Sequence, residues 1–169
     1  NTKTLYIGIG TSKENSFATS IKETNGADIV LLNFSDSTTK ADSIAKLTSG
    51  YDAVVVGMHN FSRRPANNFG ISDAALYLLS KVQGANTINF CFGNPYAVAN
   101  LCNATNLVVC YEDDEITQKA GIQLLQGITQ PEGKLPVTVC DNFSFGSGIE
   151  TASYFNTAVP EEVGMSSAG

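Results

Sequence analysis

Five short, almost unbroken apolar runs constrain this chain more than any other feature. They are Leu5 to Ile9, Ile29 to Leu32, Ala53 to Val56, Ile88 to Phe92 and Leu107 to Cys110. A strand with one wet face alternates apolar and polar residues, whereas a strand covered on both faces reads as a continuous apolar run. Stretches of helical character separate the runs. One is capped by Thr11 or Ser12, extends to about Thr24 and is closed by Gly26. A second covers Thr38 to Thr48 and ends near Gly50. A third is capped by Ser72 and continues through Ala75, Leu76, Leu79 and Val82. Pro95 starts a short helix at its favoured first position. Asp113 or Asp114 opens the last, through Ile116, Ala120, Leu124 and Leu125, and Val137 to Val139 reads as a final short strand. Strand–helix alternation of this kind predicts an α/β fold: a three-layer α/β/α sandwich around a mostly parallel sheet, flavodoxin-like in layering. This domain is expected over residues 1–142. Residues 143–169 are rich in Ser, Gly and small residues and read as an irregular tail or linker, lying along the domain and anchored by Tyr154 and Phe155.

With 169 residues, 43 % of them hydrophobic and 15 % charged, the chain has enough apolar material for one core and too little charge for disorder. Ten basic against sixteen acidic residues give a net charge of −6, which repels a phosphate backbone, so nucleic acid is not an expected partner. The longest apolar stretches, such as Ala53 to Met58, fall far short of the ~20 residues of a spanning helix. The chain opens Asn1-Thr2-Lys3-Thr4, with no initiator Met or signal peptide, and reads as a piece of a longer protein. The four cysteines, Cys91, Cys102, Cys110 and Cys140, form no C-x-x-C pair, so no zinc site is expected. Three of them sit in or at the end of apolar runs, and four free, buried thiols are the expectation.

In parallel sheets, sites form at the carboxyl ends of the strands. Here those ends carry Gly8 to Ser12, Phe34 to Asp36, His59 to Arg64, Phe92 to Pro95 and Tyr111 to Asp114. His59, Asn60, Arg63, Asn94 and Pro95 are the candidate ligand-rim residues, expected to share one mouth. Gly8-Ile9-Gly10 follows a strand and opens a helix, but the third glycine of a dinucleotide fingerprint and the lysine of a phosphate loop are both missing. No cofactor is expected. The quartet Glu112-Asp113-Asp114-Glu115 reads as a helix start, its carboxylates meeting free N–H groups and the positive dipole end, rather than as a metal site. Ser37-Thr-Thr-Lys40 and Ser43-Ile-Ala-Lys46 match the S-x-x-K of serine β-lactamases, yet no K-T-G strand accompanies them, and no G-x-S-x-G elbow is present.

Several longer segments carry a resemblance. They are VVVGMHNFSRRPANNFGIS (Val54 to Ser72), CFGNPYAVANL (Cys91 to Leu101), YEDDEITQKAGIQLLQG (Tyr111 to Gly127) and, most recognisably, GKLPVTV (Gly133 to Val139). Together they resemble the C-terminal α/β domain of the family 3 glycoside hydrolases, in the β-N-acetylhexosaminidase-like branch. Pro160-Glu161-Glu162-Val163-Gly164-Met165-Ser166-Ser167 resembles the linker into a fused serine β-lactamase-like domain of some bacterial members. The resemblance implies retaining glycoside hydrolysis by the parent protein, with the nucleophilic Asp and the His-containing acid/base loop in a preceding β/α barrel. No residue of this chain matches either, so none receives a catalytic role. The implied partners are that barrel and the downstream serine hydrolase-like domain, with carbohydrate reached only indirectly. A periplasmic or otherwise exported parent is expected. The alternative is a stand-alone α/β module binding a small polar ligand at the strand ends. An exposed apolar patch favours the first reading; a uniformly polar surface with one deep strand-end cleft favours the second.

Overall fold

The computed structural model describes residues 2–149. The apolar runs form five parallel strands: β1 (Thr4–Ile9), β2 (Asp28–Leu32), β3 (Ala53–Met58), β4 (Thr87–Cys91) and β5 (Asn106–Val109). Their order in the sheet is β2-β1-β3-β4-β5. The helices are α1 (Ser16–Asn25), α2 (Thr38–Leu47), α3 (Asp73–Val82) and α4 (Glu115–Leu125), with 3-10 turns at Thr48–Gly50, Asn68–Gly70 and Pro95–Leu101. Successive strand residues point to opposite faces. Leu5, Ile7 and Ile9 of β1, with Val54, Val56 and Met58 of β3, join Ala41 and Ile44 of α2 and Leu78 and Leu79 of α3 in one buried layer. Tyr6, Val55 and Phe90 face the other way and join Phe17, Ala18 and Ile21 of α1 and Ile122 of α4. The two layers make the expected three-layer sandwich. Among the described residues no helix is long and apolar enough to cross a membrane.

Three local expectations are corrected. Helix α1 starts at Ser16, capped by Asn15, whose side chain accepts a hydrogen bond from the Ala18 N–H at 2.9 Å. Thr11 is not the cap because its hydroxyl is committed to a local turn, donating to the Lys13 carbonyl at 2.7 Å. The run Val137 to Val139 forms no strand. It follows Pro136 and turns back at once, so that only an isolated antiparallel bridge joins Cys140 to Phe143. Finally, the cysteines are not four free thiols: Cys102 and Cys140 form a disulfide, with Cα atoms 6.4 Å apart, while Cys91 and Cys110 are free. Cys102 closes the Pro95–Leu101 turn, away from any strand, and Cys140 lies in the C-terminal segment that folds over it. The expected anchors Tyr154 and Phe155, and the linker phrase at Pro160 to Ser167, lie outside the described residues.

Candidate functional site

The strand ends gather around His59. It continues the parity of Val55 and Gly57 on β3, so its ring drops onto the α1/α4 face and is wholly buried. The ring stacks on Phe92, with centroids 4.5 Å apart and planes within 14°. Its Nδ1 lies 2.9 Å from Asp113 Oδ1, and its Nε2 lies 2.8 Å from the Tyr6 hydroxyl. An ionised carboxylate only accepts, so Nδ1 carries the proton and donates to Asp113, and the Tyr6 hydroxyl donates to Nε2. Two glycines make this possible. A Cβ on Gly57 would strike the Tyr6 hydroxyl and stand 2.6 Å from His59 Nε2. Gly10, at φ 84°, lets the His59 carbonyl approach where any side chain would collide.

Asp113 is the hub of this cluster. It accepts from His59, from the Asn60 backbone N–H at 2.8 Å and from Gln118 Nε2 at 2.7 Å. Burial opposes its ionisation, but the hydrogen bonds from His59, Asn60 and Gln118 prevail and hold its carboxyl below the usual range. Gln118 Oε1 in turn accepts from the Phe17 N–H at 3.2 Å, tying α4 to α1. Burial, with the Asp113 charge beside it, pushes the Tyr6 phenol far above its ordinary value. Of the acidic quartet, Asp114 is the helix cap, accepting from the Thr117 N–H at 2.7 Å. Asp113 faces inward instead.

The five rim candidates divide. Asn60, Arg63, Asn94 and Pro95 share one end of the sheet, where Asn94 Nδ2 donates to the Arg63 carbonyl at 2.9 Å. Asn60 takes left-handed backbone, φ 54°, and its amide donates to the Gly10 carbonyl at 3.1 Å. Arg63 is open to solvent and pairs with Glu112 at 2.9 Å. Pro95 opens the 3-10 turn that Asn94 caps through the Tyr96 N–H. His59, by contrast, lies under this rim and supports it; its two ring nitrogens are already engaged. Sequence reasoning missed Gln118 and the inward role of Asp113. The loop beyond Arg64 is pinned as well: Asn67, Asn68 and Phe69 all have φ between 50° and 60°, and the Asn68 amide pairs with Asn100 in both directions.

His59 has no free nitrogen, and among the described residues no three His, Cys, Asp or Glu side chains gather as metal ligands. Burial pushes both free thiols, Cys91 and Cys110, up to about 12, so neither is a nucleophile near neutrality. The rim instead exposes apolar surface. Tyr96, Tyr111 and Ile116, 53 %, 38 % and 81 % exposed, all follow the carboxyl ends of β4 and β5. A cleft of about 690 Å³ runs along the outer edge of β5 and meets the rim at Tyr111, which lines it.

No protein-family profile matches the chain, and no curated protein sequence does. Solved structures share its fold. A β-N-acetylglucosaminidase of glycoside hydrolase family 3 from Paenibacillus sp. str. FPU-7 superposes with a TM-score of 0.65 at 15 % identity, over 82 % of this chain and 27 % of that one. A fungal multi-domain family 3 β-N-acetylglucosaminidase, which contains a GCN5-related glucosamine N-acetyltransferase region, gives 0.59 at 17 % identity, over 96 % of this chain and 19 % of that one. The β-glucoside phosphorylase BglX gives 0.53 at 20 % identity, over 82 % and 26 %. The chain thus spans about a quarter or less of the length of these proteins, and its fold is that of one part of each.

Proposed function

We propose that this chain is the non-catalytic C-terminal α/β domain of a family 3 glycoside hydrolase of β-N-acetylglucosaminidase type, whose strand-end rim packs against the catalytic barrel. The observation that carries the reading is the exposed group Tyr96, Tyr111 and Ile116 at the end of the sheet that also presents Arg63 and Asn94. Exposed apolar side chains just past neighbouring strand ends support the reading of this end as a surface that another unit covers. That the carboxylates at this end are engaged in structural hydrogen bonds among the described residues supports the same view. Retaining glycosidases hold two catalytic groups a short distance apart, ~5–5.5 Å when both are carboxylates. Here Asp113 is spent on His59, Asn60 and Gln118, and Asp114 on the helix end. The shared fold with two β-N-acetylglucosaminidases supports the enzyme type, and the GKLPV and GNPY segments support the family. In this role His59 and Asp113 are positioning residues, fixing the Asn60–Arg64 loop where it closes the rim of the barrel's site.

The test is hydrolysis of an aryl β-N-acetylglucosaminide. The purified chain gives no turnover, and the parent protein containing the upstream barrel does. Ile116→Asp combined with Tyr96→Asp in the parent loosens the domain contact and lowers that turnover, while the isolated domain keeps its melting temperature. Activity that follows this chain through purification, and falls with His59→Ala or Glu112→Gln, would overturn the proposal.

A further inference from the structure

The tripeptide Asn-x-Ser/Thr, with x other than Pro, is the acceptor for an N-linked oligosaccharide. It occurs at Asn33, Asn60, Asn103 and Asn142. The structure separates them. A bulky sugar attached to the amide nitrogen stays there in the folded protein, so the acceptor must stand at the surface with that nitrogen uncommitted. Asn60 does not meet this condition: its Nδ2 donates to the Gly10 carbonyl at 3.1 Å, and its backbone is held at φ 54°. Nor does Asn142, whose Nδ2 donates to the Cys102 carbonyl at 2.9 Å. Asn33 is half-buried, and its Oδ1 accepts from the Ser35 N–H at 3.1 Å and from the Ser35 hydroxyl at 3.2 Å.

Asn103 differs from all of these. It lies in the turn between Pro95–Leu101 and β5, which the Ala104 N–H closes by donating to the Leu101 carbonyl at 2.8 Å. Ala104 packs against the core, while Asn103 and Thr105 on either side of it are exposed. Among the described residues no hydrogen bond reaches the Asn103 amide or the Thr105 hydroxyl. Two further observations point the same way. The preceding residue, Cys102, is bonded to Cys140, and disulfides persist in the oxidising compartments through which N-glycosylated chains pass. The turn also precedes β5, so it stands at the amino end of the parallel sheet. Asn33 and Asn60 follow β2 and β3 and stand at the carboxyl end, with Arg63 and Asn94. A sugar on Asn103 leaves that rim clear. We propose that Asn103 carries an N-linked oligosaccharide, taken from a polyprenyl diphosphate donor. Its Nδ2 attacks the anomeric carbon of the donor's first sugar. The C–N bond forms as the C–O bond to the diphosphate breaks, the diphosphate leaves with the electron pair, and one amide proton passes to a base of the transferase. This inference is independent of the proposed enzymatic role.

The full chain secreted from a eukaryotic cell tests it. Enzymatic release of the sugar in heavy-oxygen water converts an occupied Asn into a labelled Asp, which peptide mass spectrometry locates. Asn103 should carry the label in most molecules, several-fold more often than Asn33, Asn60 or Asn142. Asn103→Gln and Thr105→Ala should each abolish the gel-mobility shift that the sugar causes. Thr105→Ser should keep it, because a serine hydroxyl completes the acceptor equally. An unlabelled Asn103 in the secreted chain would overturn the proposal. So would label at Asn33, Asn60 or Asn142 that equals it, or a mobility shift that Thr105→Ala leaves unchanged. Label on Asn60 would also sink the reading of that end as a covered rim, whereas a wholly unlabelled chain would sink this inference alone.

Discussion

Replacing Cys102 and Cys140 together by Ser removes a covalent tie between residues 38 apart in sequence. The tie closes a loop that contains all of β5 and α4. The unfolded chain gains the most from its loss, because a loop of that length no longer has to stay closed. For n near 38 the chain-entropy relation gives about 4 kcal/mol at 25 °C, in the upper part of the usual range. With a urea m-value near 2 kcal/mol/M, that moves the unfolding midpoint down by about 2 M. The assay is urea unfolding of the oxidised chain and the double-Ser variant, followed by far-UV circular dichroism. Thiol titration in denaturant without reductant should give two equivalents, from Cys91 and Cys110. Four equivalents would refute the pairing. Two equivalents with a midpoint shift of only a few tenths of a molar would refute the argument from loop entropy.

Acid stability should depend on Asp113. Its folded pKa lies below its unfolded one, so its contribution is complete above the unfolded value near 3.9 and is lost as pH falls through the lowered folded value. Asp113→Asn should flatten the stability profile below about pH 4 and cost about 1–3 kcal/mol at neutral pH, read from denaturation at each pH. Gly57→Ala should cost about 1–3 kcal/mol by overpacking against Tyr6 and His59, visible as a lower melting temperature. At pH 8, iodoacetamide should label Cys91 of the folded chain hardly at all, since its thiol is buried and shifted to about 12; mass spectrometry after a timed quench decides.

The strands were legible because burial on both faces selects unbroken apolar runs, and each run from Leu5 to Cys110 begins or ends within a residue or two of its strand. Ser72 was a legible cap because it precedes its helix directly, whereas Asp113 and Asp114 stood as equal candidates for α4, of which Asp114 is the cap. Asn15 was hidden behind Thr11 and Ser12, equally good caps by type, and only the local Thr11–Lys13 turn decides between them. The tertiary pairings were not legible. Asp113 meets His59 across 54 positions and Gln118 meets Phe17 across 101, and nothing local marks which acid of the quartet turns inward. One signal was available. His59 shares the parity of Val55 and Gly57, which places its ring on a covered face. For the cysteines, the distinguishing feature was position. Cys91 and Cys110 lie in or next to the last two strands, while Cys102 and Cys140 lie outside them.

The strand order also sets a timetable. β1 sits between β2 and β3, and its partner in β3 lies 49 positions on, as Leu5 does from Val54. During synthesis at ~5–20 residues per second, one side of β1 therefore waits roughly 2–10 s for its neighbour. No pair in this sheet is a hairpin, so none forms from adjacent residues, and long-range pairing of this kind is slow. The nascent chain thus carries a strand that is buried from Leu5 to Ile9 in the folded domain with an unfilled edge for seconds. A reader of its biogenesis should look for aggregation, and for chaperone dependence, in chains truncated between Leu32 and Ala53.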